Sequence, residues 1–249
     1  ILILLLVNLW LDNLIFKIFR TNRDKKNKVQ IKRAKWFTNQ LIELGSAFIK
    51  IGQLLSARPD LIPNTWIQEL SKLQDQVPQF SYTKVEEIIQ KELGHKFSEI
   101  NQITSTPIGS ASLAQVHKAT LKDGKEVVFK VQRPNLKNLF TIDLNIMQQI
   151  AFIIQKNKNW SRGRNWVAIA KECRKVLMKE LDFKCEAQYA ARFRQQFLDD
   201  ENVEVPEVIW NLSTEKVLCL SYLEGTKISD VEKLKSKNID LSKIAEIGA

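Results

Sequence analysis

Gly109-Ser110-Ala111-Ser112-Leu113-Ala114-Gln115-Val116 is the stretch that decides the fold, together with Val127-Val128-Phe129-Lys130 a short distance downstream. The first stretch has the spacing G-x-G-x-x-G-x-V of a phosphate-binding loop, with alanine in place of the second and third glycines. The second stretch has the form V-A-I-K, in which a strand lysine pairs with nucleotide phosphates. Together, in this order, they predict a nucleotide-binding lobe.

The two alanines set this loop apart from an ordinary phosphate loop. Such loops bind phosphate through backbone N–H groups, which need close approach and permissive dihedral angles, and glycine supplies both. Ala111 and Ala114 keep the loop small but stiffen it. A small-residue turn between strands is the alternative interpretation. The predicted nucleotide contacts in the loop are Gly109, Ser110, Ala111, Ser112, Ala114 and Val116.

Lys130 stands on an otherwise apolar run, so its charge must reach solvent or find a partner. Glu186 is the candidate partner, because it shares a helical stripe with Ala190, Phe193 and Phe197. A solvent-facing strand lysine and a partly exposed glutamate remain the alternatives. We predict a Lys130–Glu186 ion pair at the nucleotide phosphates.

Composition narrows the range of partners. Lys and Arg number 38 against 28 Asp and Glu, a formal net charge of +10, which favours phosphate-bearing partners. Three scattered cysteines and two histidines form no metal-type pair, and we predict no metal site in this chain. The sparse cysteines are typical of a reducing compartment, so we do not expect secretion.

The N-terminal segment predicts contact with a membrane. Residues 1–19 are largely apolar but are interrupted by Asp12 and Asn13, so they fit the end of a membrane span, an interfacial helix or a buried amphipathic helix. Residues 20–35 form a basic linker that suits the cytoplasmic flank facing anionic lipid, or else a solvated linker. Because no aromatic residues are interleaved there, we expect no nucleic-acid partner.

The spacing of apolar residues divides the remaining chain into three regions. Residues 36–95 have helical spacing, and a third helix there begins near Thr83 with a Thr83-x-x-Glu86 capping box. Residues 96–226 carry short β-type runs, a hairpin at Asp123-Gly124, helical patterns at 138–157 and 166–198, and a strand pair at 203–209 and 216–223. Residues 227–249 begin a further helical lobe. The chain starts inside an apolar run, and we expect it to be a piece of a longer protein.

Two further groups of residues are candidates. Tyr222 and Leu223 follow the last predicted strand, where a nucleotide-binding lobe carries its adenine-contacting hinge; simple strand termination is the alternative. Lys50 and Gln53 lie on one face of a predicted helix, next to Gly52. Since glycine inside a helix costs about 1 kcal/mol relative to alanine, Gly52 indicates close packing against another element.

These motifs, taken in order, resemble the UbiB/AarF/ADCK family of atypical kinase-like proteins. The resemblance covers roughly residues 36–249. It rests on Lys50-Ile51-Gly52-Gln53 as the K-x-G-Q signature, the alanine-rich loop, Lys130-Val131-Gln132-Arg133-Pro134, and Glu180-Leu181-Asp182 as the E-x-D motif. It implies an α+β fold: a protein-kinase-like N-lobe with a small antiparallel sheet plus helices, a helical N-terminal extension, and the start of a helical C-lobe.

The resemblance also implies roles for particular residues. Lys130 and Glu186 would form the nucleotide-site ion pair, while Lys50 and Gln53 would reach over the site, held by Glu180 and Asp182. The resemblance implies ATP and Mg²⁺ as cofactors, and a membrane-associated kinase or ATPase of bacterial or plastid type that supports isoprenoid-quinone or prenyl-lipid metabolism. The catalytic Asp and Asn and the Mg²⁺ ligands would follow residue 249. A nucleotide-binding pseudokinase scaffold is the alternative.

Overall fold

A computed structural model describes residues 23–74, 79–157, 161, 163–228 and 230–248. The predicted membrane-proximal segment 1–19 lies outside the described residues. The described chain combines a five-stranded antiparallel sheet with helices, so the predicted α+β class with a small antiparallel sheet is confirmed.

The sheet consists of β1 (Ile100–Ile103), β2 (Gly109–Ser110), β3 (Ala114–Leu121), β4 (Glu126–Gln132) and β5 (Val217–Ser221). Its order is β1-β3-β4-β5, and β2 pairs with the start of β3. Strands β3 and β4 form the predicted hairpin, in which Gly124 adopts a φ of 87° that favours glycine.

The two faces of β4 pack against different helices. Val127, Phe129 and Val131 are fully buried in one core cluster with Val85 and Ile89, which lie on α4 (Tyr82–Leu93). Helix α7 (Phe183–Gln196) packs on the other face through Phe183 and Ala187. Because side chains alternate along a strand, Lys130 emerges on the face covered by α7.

The helical extension is formed by α1 (Arg23–Leu44), α2 (Ser46–Ser56) and α3 (Asn64–Leu70). Segment 20–35, expected to be a linker, is therefore helical from Arg23 onward. The physical reason is that no proline or glycine interrupts this stretch, while Ala34, Phe37 and Leu41 bury one face of it at helical spacing. The helix ends before Gly45, whose φ is 100°.

Gly52 lies where α2 meets the rest of the extension. A Cβ at this position would overlap Leu73 Cδ1 and would lie 2.8 Å from Leu41 Cδ1, and both leucines are buried. The close packing predicted from a glycine inside a helix is confirmed.

Two further helices, α5 (Leu136–Lys156) and α6 (Trp166–Glu180), lie between β4 and α7 in the chain. Their buried residues form one cluster with Ala47 of α2 and with Leu113 of the alanine-rich loop. This cluster joins the extension to the sheet beside the loop. Short helices α8 (Val231–Ser236) and α9 (Leu241–Ile247) follow the sheet.

Three local predictions were wrong. Residues 203–209 form a single bridge between Val208 and Leu220 rather than a strand, and Pro206 has no N–H for a ladder. The helix predicted near Thr83 does begin there, at Tyr82, but the predicted capping box is absent, because Ser81 is the N-cap residue and makes no side-chain capping bond. The helical pattern at 166–198 breaks at Leu181 and Asp182, because the Asp182 carboxylate caps a new helix.

Candidate functional site

Lys130 is positioned by the register of the sheet. Val116 of β3 and Leu218 of β5 are its direct cross-strand partners. Both neighbouring strands therefore hold the β4 backbone at this point, and the lysine side chain leaves the sheet toward α7.

Glu186 lies in the first turn of α7 and meets Lys130 directly. Lys130 Nζ donates to both carboxylate oxygens of Glu186, at 2.6 and 2.7 Å. The two side chains are 27% and 44% exposed, so the pair is open to a ligand on one side. Phe183 places its ring 5.0 Å from the same ammonium group. The lysine thus has a fixed position and an accessible charge.

The Asp182 carboxylate fixes where α7 begins. Its Oδ1 accepts a hydrogen bond from the Lys184 N–H at 2.9 Å. An aspartate at the N-cap satisfies an otherwise unpaired N–H and stabilises a helix start by about 1 kcal/mol. Glu186 comes four residues after this cap, so the cap sets the height at which its carboxylate meets Lys130.

A cavity of about 450 Å³ opens beside the ion pair. The loop lines it through Ala111, Ser112, Leu113 and Ala114. Facing the loop are Lys130, Glu186, Glu180, Asp182, Cys185 and Lys50. The small neutral residues of the loop leave room beside the partly exposed Lys130 ammonium, which could meet an anionic group such as a phosphate.

The loop has a closed hairpin conformation. The Ala111 N–H donates to the Ala114 carbonyl at 2.8 Å, and β2 pairs Gly109 with Val116. A Cβ built on Gly109 would come no closer than 4.0 Å, to Val116 Cβ, so nothing at this position requires glycine. Leu113 is buried at the tip of the loop.

Of the two extension residues predicted to reach the site, Lys50 and Gln53, Lys50 lines the cavity and Gln53 does not. Lys50 Nζ lies 2.7 Å from Glu180 Oε2, and both residues line the cavity. The Gln53 side chain instead donates to the Leu73 carbonyl at 3.0 Å, inside the extension. Gln53 therefore holds the extension together and does not line the cavity.

Several predicted nucleotide contacts lie outside the cavity lining. Val116 is half-buried and shares a sheet face with Lys130. Tyr222 and Leu223 are half-buried just after β5, and the Lys118 ammonium lies 4.1 Å from the Tyr222 ring centroid. The predicted contacts that do not line the cavity are Gly109, Ser110, Val116, Tyr222 and Leu223.

The predicted apolar stripe around Glu186 is only partly buried. Ala190 packs against the core, whereas Phe193 is 49% exposed and stacks on Phe197 with ring centroids 4.7 Å apart. The Glu186 carboxylate is therefore at the edge of the covered face of α7. This position explains why its charge remains accessible.

Six residues that line the cavity were not predicted from the sequence: Leu113, Val176, Lys179, Phe183, Cys185 and Tyr189. Two of them lie next to the ion pair. Phe183 contacts the Lys130 ammonium through its ring, and Cys185 precedes Glu186 in the first turn of α7. The signal available for Phe183 is the Asp182 N-cap, which starts a new helix and makes Phe183 its first residue. Within the described residues, no group of three His, Cys, Asp or Glu side chains is placed to hold a metal ion.

Comparison with known proteins assigns the chain to a family. Residues 72–249 match the model of the ABC1 atypical kinase-like domain. The chloroplastic protein ACTIVITY OF BC1 COMPLEX KINASE 7 of Arabidopsis thaliana is 43% identical, over 89% of this chain and 32% of that protein. A probable protein kinase UbiB of Pseudomonas putida is 40% identical, over 84% of this chain and 39% of that protein.

A solved structure supports the same assignment. The Rv3197–erythromycin complex from Mycobacterium tuberculosis matches with a TM-score of 0.56 and 29% identity, covering 84% of this chain and 54% of that chain. This chain spans between 32% and 39% of the length of the two curated relatives named above. The chain belongs to the ABC1 family of atypical kinase-like proteins, together with its relatives named UbiB.

Proposed function

We propose that this chain forms the ATP-binding lobe of a membrane-associated atypical kinase or ATPase. The observation that carries the proposal is the contact of Lys130 Nζ with both oxygens of Glu186, beside a cavity bordered by the alanine-rich loop. In kinases, a lysine held in this way neutralises the phosphates of the nucleotide.

Each residue at the site has a role in this proposal. Lys130 binds the phosphates, and Glu186 keeps the ammonium in place when the site is empty. Ala111 and Ala114 border the phosphates with little bulk. Mg²⁺ would shield the phosphates, and we assign its ligands and the catalytic Asp and Asn to sequence beyond residue 249.

A second candidate function is nucleotide binding without turnover. It is favoured by the closed loop, in which the Ala111 N–H is already bonded to the Ala114 carbonyl and is not offered to phosphate. Lys50 also lines the cavity, and in this second candidate function the extension that carries it would restrict the approach of a large substrate. In that case the protein would be a pseudokinase scaffold for lipid-biosynthetic enzymes.

We also propose that anionic membrane lipid is a partner. Lys28, Lys32 and Lys35 are exposed on α1, and the apolar segment 1–19 precedes them in sequence. Basic groups near an anionic surface contribute about 1 kcal/mol each. Within the part of the chain that the structure describes, no helix is both long and apolar enough to cross a bilayer. Binding to anionic liposomes should weaken with added salt; salt-insensitive binding would contradict a basic docking surface.

The substrate class is proposed from the relatives. Several carry the name UbiB, and others are chloroplastic kinases by name. We propose an isoprenoid-quinone or other prenyl-lipid pathway component as the target, in a bacterium or a plastid.

The test is ATP binding by the full-length protein, measured by titration calorimetry with Mg²⁺ present. Lys130→Met should weaken ATP binding at least about tenfold, since it removes a charge-assisted contact. The matched control is Lys84→Met, because Lys84 is also ion-paired, with Glu87 on α4, away from the cavity. Equal ATP affinity in the wild type and the Lys130 variant would contradict the proposal. ATP hydrolysis by the wild type then separates the enzyme from the pseudokinase.

A further inference from the structure

Arg133, just beyond the end of β4, holds the alanine-rich loop from outside the cavity. Its Nε and Nη2 atoms both donate to the Ala111 carbonyl, each at 3.1 Å. Nη2 also lies 3.3 Å from Ser110 Oγ, and the Arg133 backbone N–H donates to the Leu113 carbonyl at 2.9 Å. Arg133 therefore contacts three residues of the loop: Ser110, Ala111 and Leu113.

Leu113 anchors the same loop from within. It is 8% exposed and packs in the cluster that contains Phe140 of α5 and Leu177 of α6. The loop tip is thus inserted among helices, while its Ala111 carbonyl is held by a guanidinium group. Between the two anchors, the bond from Ala111 N–H to the Ala114 carbonyl closes the hairpin.

The chemistry of the Ala111 contact depends on arginine. Two donors of a rigid, planar guanidinium converge on a single carbonyl oxygen, and such charge-assisted bonds are stronger than neutral ones. A lysine would keep the charge but could not reproduce the fork, since its ammonium is a single point on a flexible stem. Arg133 is half-buried beside Phe80, with its guanidinium 5.5 Å from that ring. The side chain is therefore held in place on both sides.

We propose that Arg133 is a positioning residue, which fixes the alanine-rich loop in the closed form, so that the loop borders the nucleotide phosphates that Lys130 binds. The proposal rests on the proposed function of the site. Lys130 lies on β4, and Arg133 follows the last residue of that strand. The same strand therefore positions both the phosphate-binding lysine and the arginine that holds the loop. A preformed loop binds its ligand more tightly because less conformational entropy is lost on binding.

The first test measures the loop itself, without nucleotide. Amide hydrogen exchange of the full-length protein is compared for the wild type, Arg133→Lys, Arg133→Gln and the control Arg58→Lys. Arg58 makes the same Nε and Nη2 fork, to the Asp60 carboxylate on the exposed surface. We expect both Arg133 variants to speed exchange of the Ala111 amide by about tenfold, the ratio that one hydrogen bond to a charged group supplies. Exchange in β4 and β5 should stay unchanged.

Unchanged exchange of the loop amide in both Arg133 variants would overturn the proposal. Equal acceleration throughout the sheet would also overturn it, since Arg133 would then act on general stability. The second test measures ATP affinity, which should weaken by about tenfold in Arg133→Lys and remain unchanged in Arg58→Lys. Unchanged or tighter ATP binding would contradict the claim that the closed loop is the binding form.

The two proposals fail separately. If Lys130→Met weakens ATP binding while Arg133→Lys changes neither loop exchange nor affinity, the nucleotide site stands and the role of Arg133 is wrong. If the wild type binds no ATP, the proposed function fails, while the exchange of the loop still reports whether Arg133 holds it.

Discussion

Lys50 of the helical extension lies 2.7 Å from Glu180 of α6, at the cavity that contains Lys130 and Glu186. The two side chains are 23% and 32% exposed, so solvent only partly screens this pair. The contact joins the extension to the candidate nucleotide site through charge, while Leu113 and Ala47 join the same parts through apolar packing.

Removing the Lys50–Glu180 pair should reveal this coupling. We expect Lys50→Met and Glu180→Gln each to lower the free energy of unfolding, and the double variant to lose less than the sum, with a coupling of about 0.5–1 kcal/mol. Urea denaturation of the full-length variants measures it. Strict additivity of the two losses would show that the pair contributes nothing to stability.

Cysteine labelling should distinguish the cavity from the core. Burial raises the pKa of Cys219 to about 12, and the thiolate is the reactive form, so iodoacetamide should not modify Cys219 in the folded protein. Cys185 is half-buried and lines the cavity, so we expect it to be modified and ATP to protect it. Cys173 is half-buried outside the cavity lining, and burial raises the pKa of its thiol, so as the control it should be modified slowly and at a rate that ATP does not change. Labelling of Cys185 that ignores ATP would argue against nucleotide in this cavity.

His117 should make stability depend on pH. Its ring is 1% exposed, and its Nδ1 donates to the Thr104 carbonyl at 2.8 Å. Burial lowers the pKa of His117 below its ordinary value of 6.5. The unfolded chain therefore binds a proton more readily than the folded chain, so stability falls as the pH drops through about 6.5 and is fully present above it.

The experiment compares the wild type with His117→Gln by urea denaturation from about pH 7.5 to about pH 5.5. The carboxylates titrate in both proteins, so the difference isolates the histidine. We expect the stability advantage of the wild type to shrink on acidification. An advantage that grows on acidification would mean that the folded protein prefers the charged histidine.

Local signals in the sequence predicted much of the sheet. Asp123-Gly124 specified the β3–β4 hairpin because a turn needs only neighbouring residues. Gly52 correctly predicted close packing, because a glycine that destabilises a helix interior indicates that a larger side chain would not fit there. The break at Asp182 was missed because the apolar pattern runs through it, although aspartate is a preferred N-cap residue.

The candidate site was partly predictable for a different reason. Lys130 and Glu186 are 56 positions apart, and their meeting depends on how α7 packs on the sheet. The order of the motifs along the chain indicated the Lys130–Glu186 pair. Helical spacing alone could not distinguish a Glu186 paired with Lys130 from a Glu186 partly exposed to solvent. The burial of Leu113 could not be read from its neighbours, because its contacts come from α2, α5 and α6, which are distant in sequence.

The central claim is that Lys130 meets the phosphates of a nucleotide. The most direct measurement treats the full-length protein with an acyl-phosphate derivative of ATP, which acylates a lysine lying at the phosphates, and identifies the modified peptide by mass spectrometry. We predict modification at Lys130, prevented by excess ATP. Modification confined to exposed lysines such as Lys84, with no protection by ATP, would contradict it.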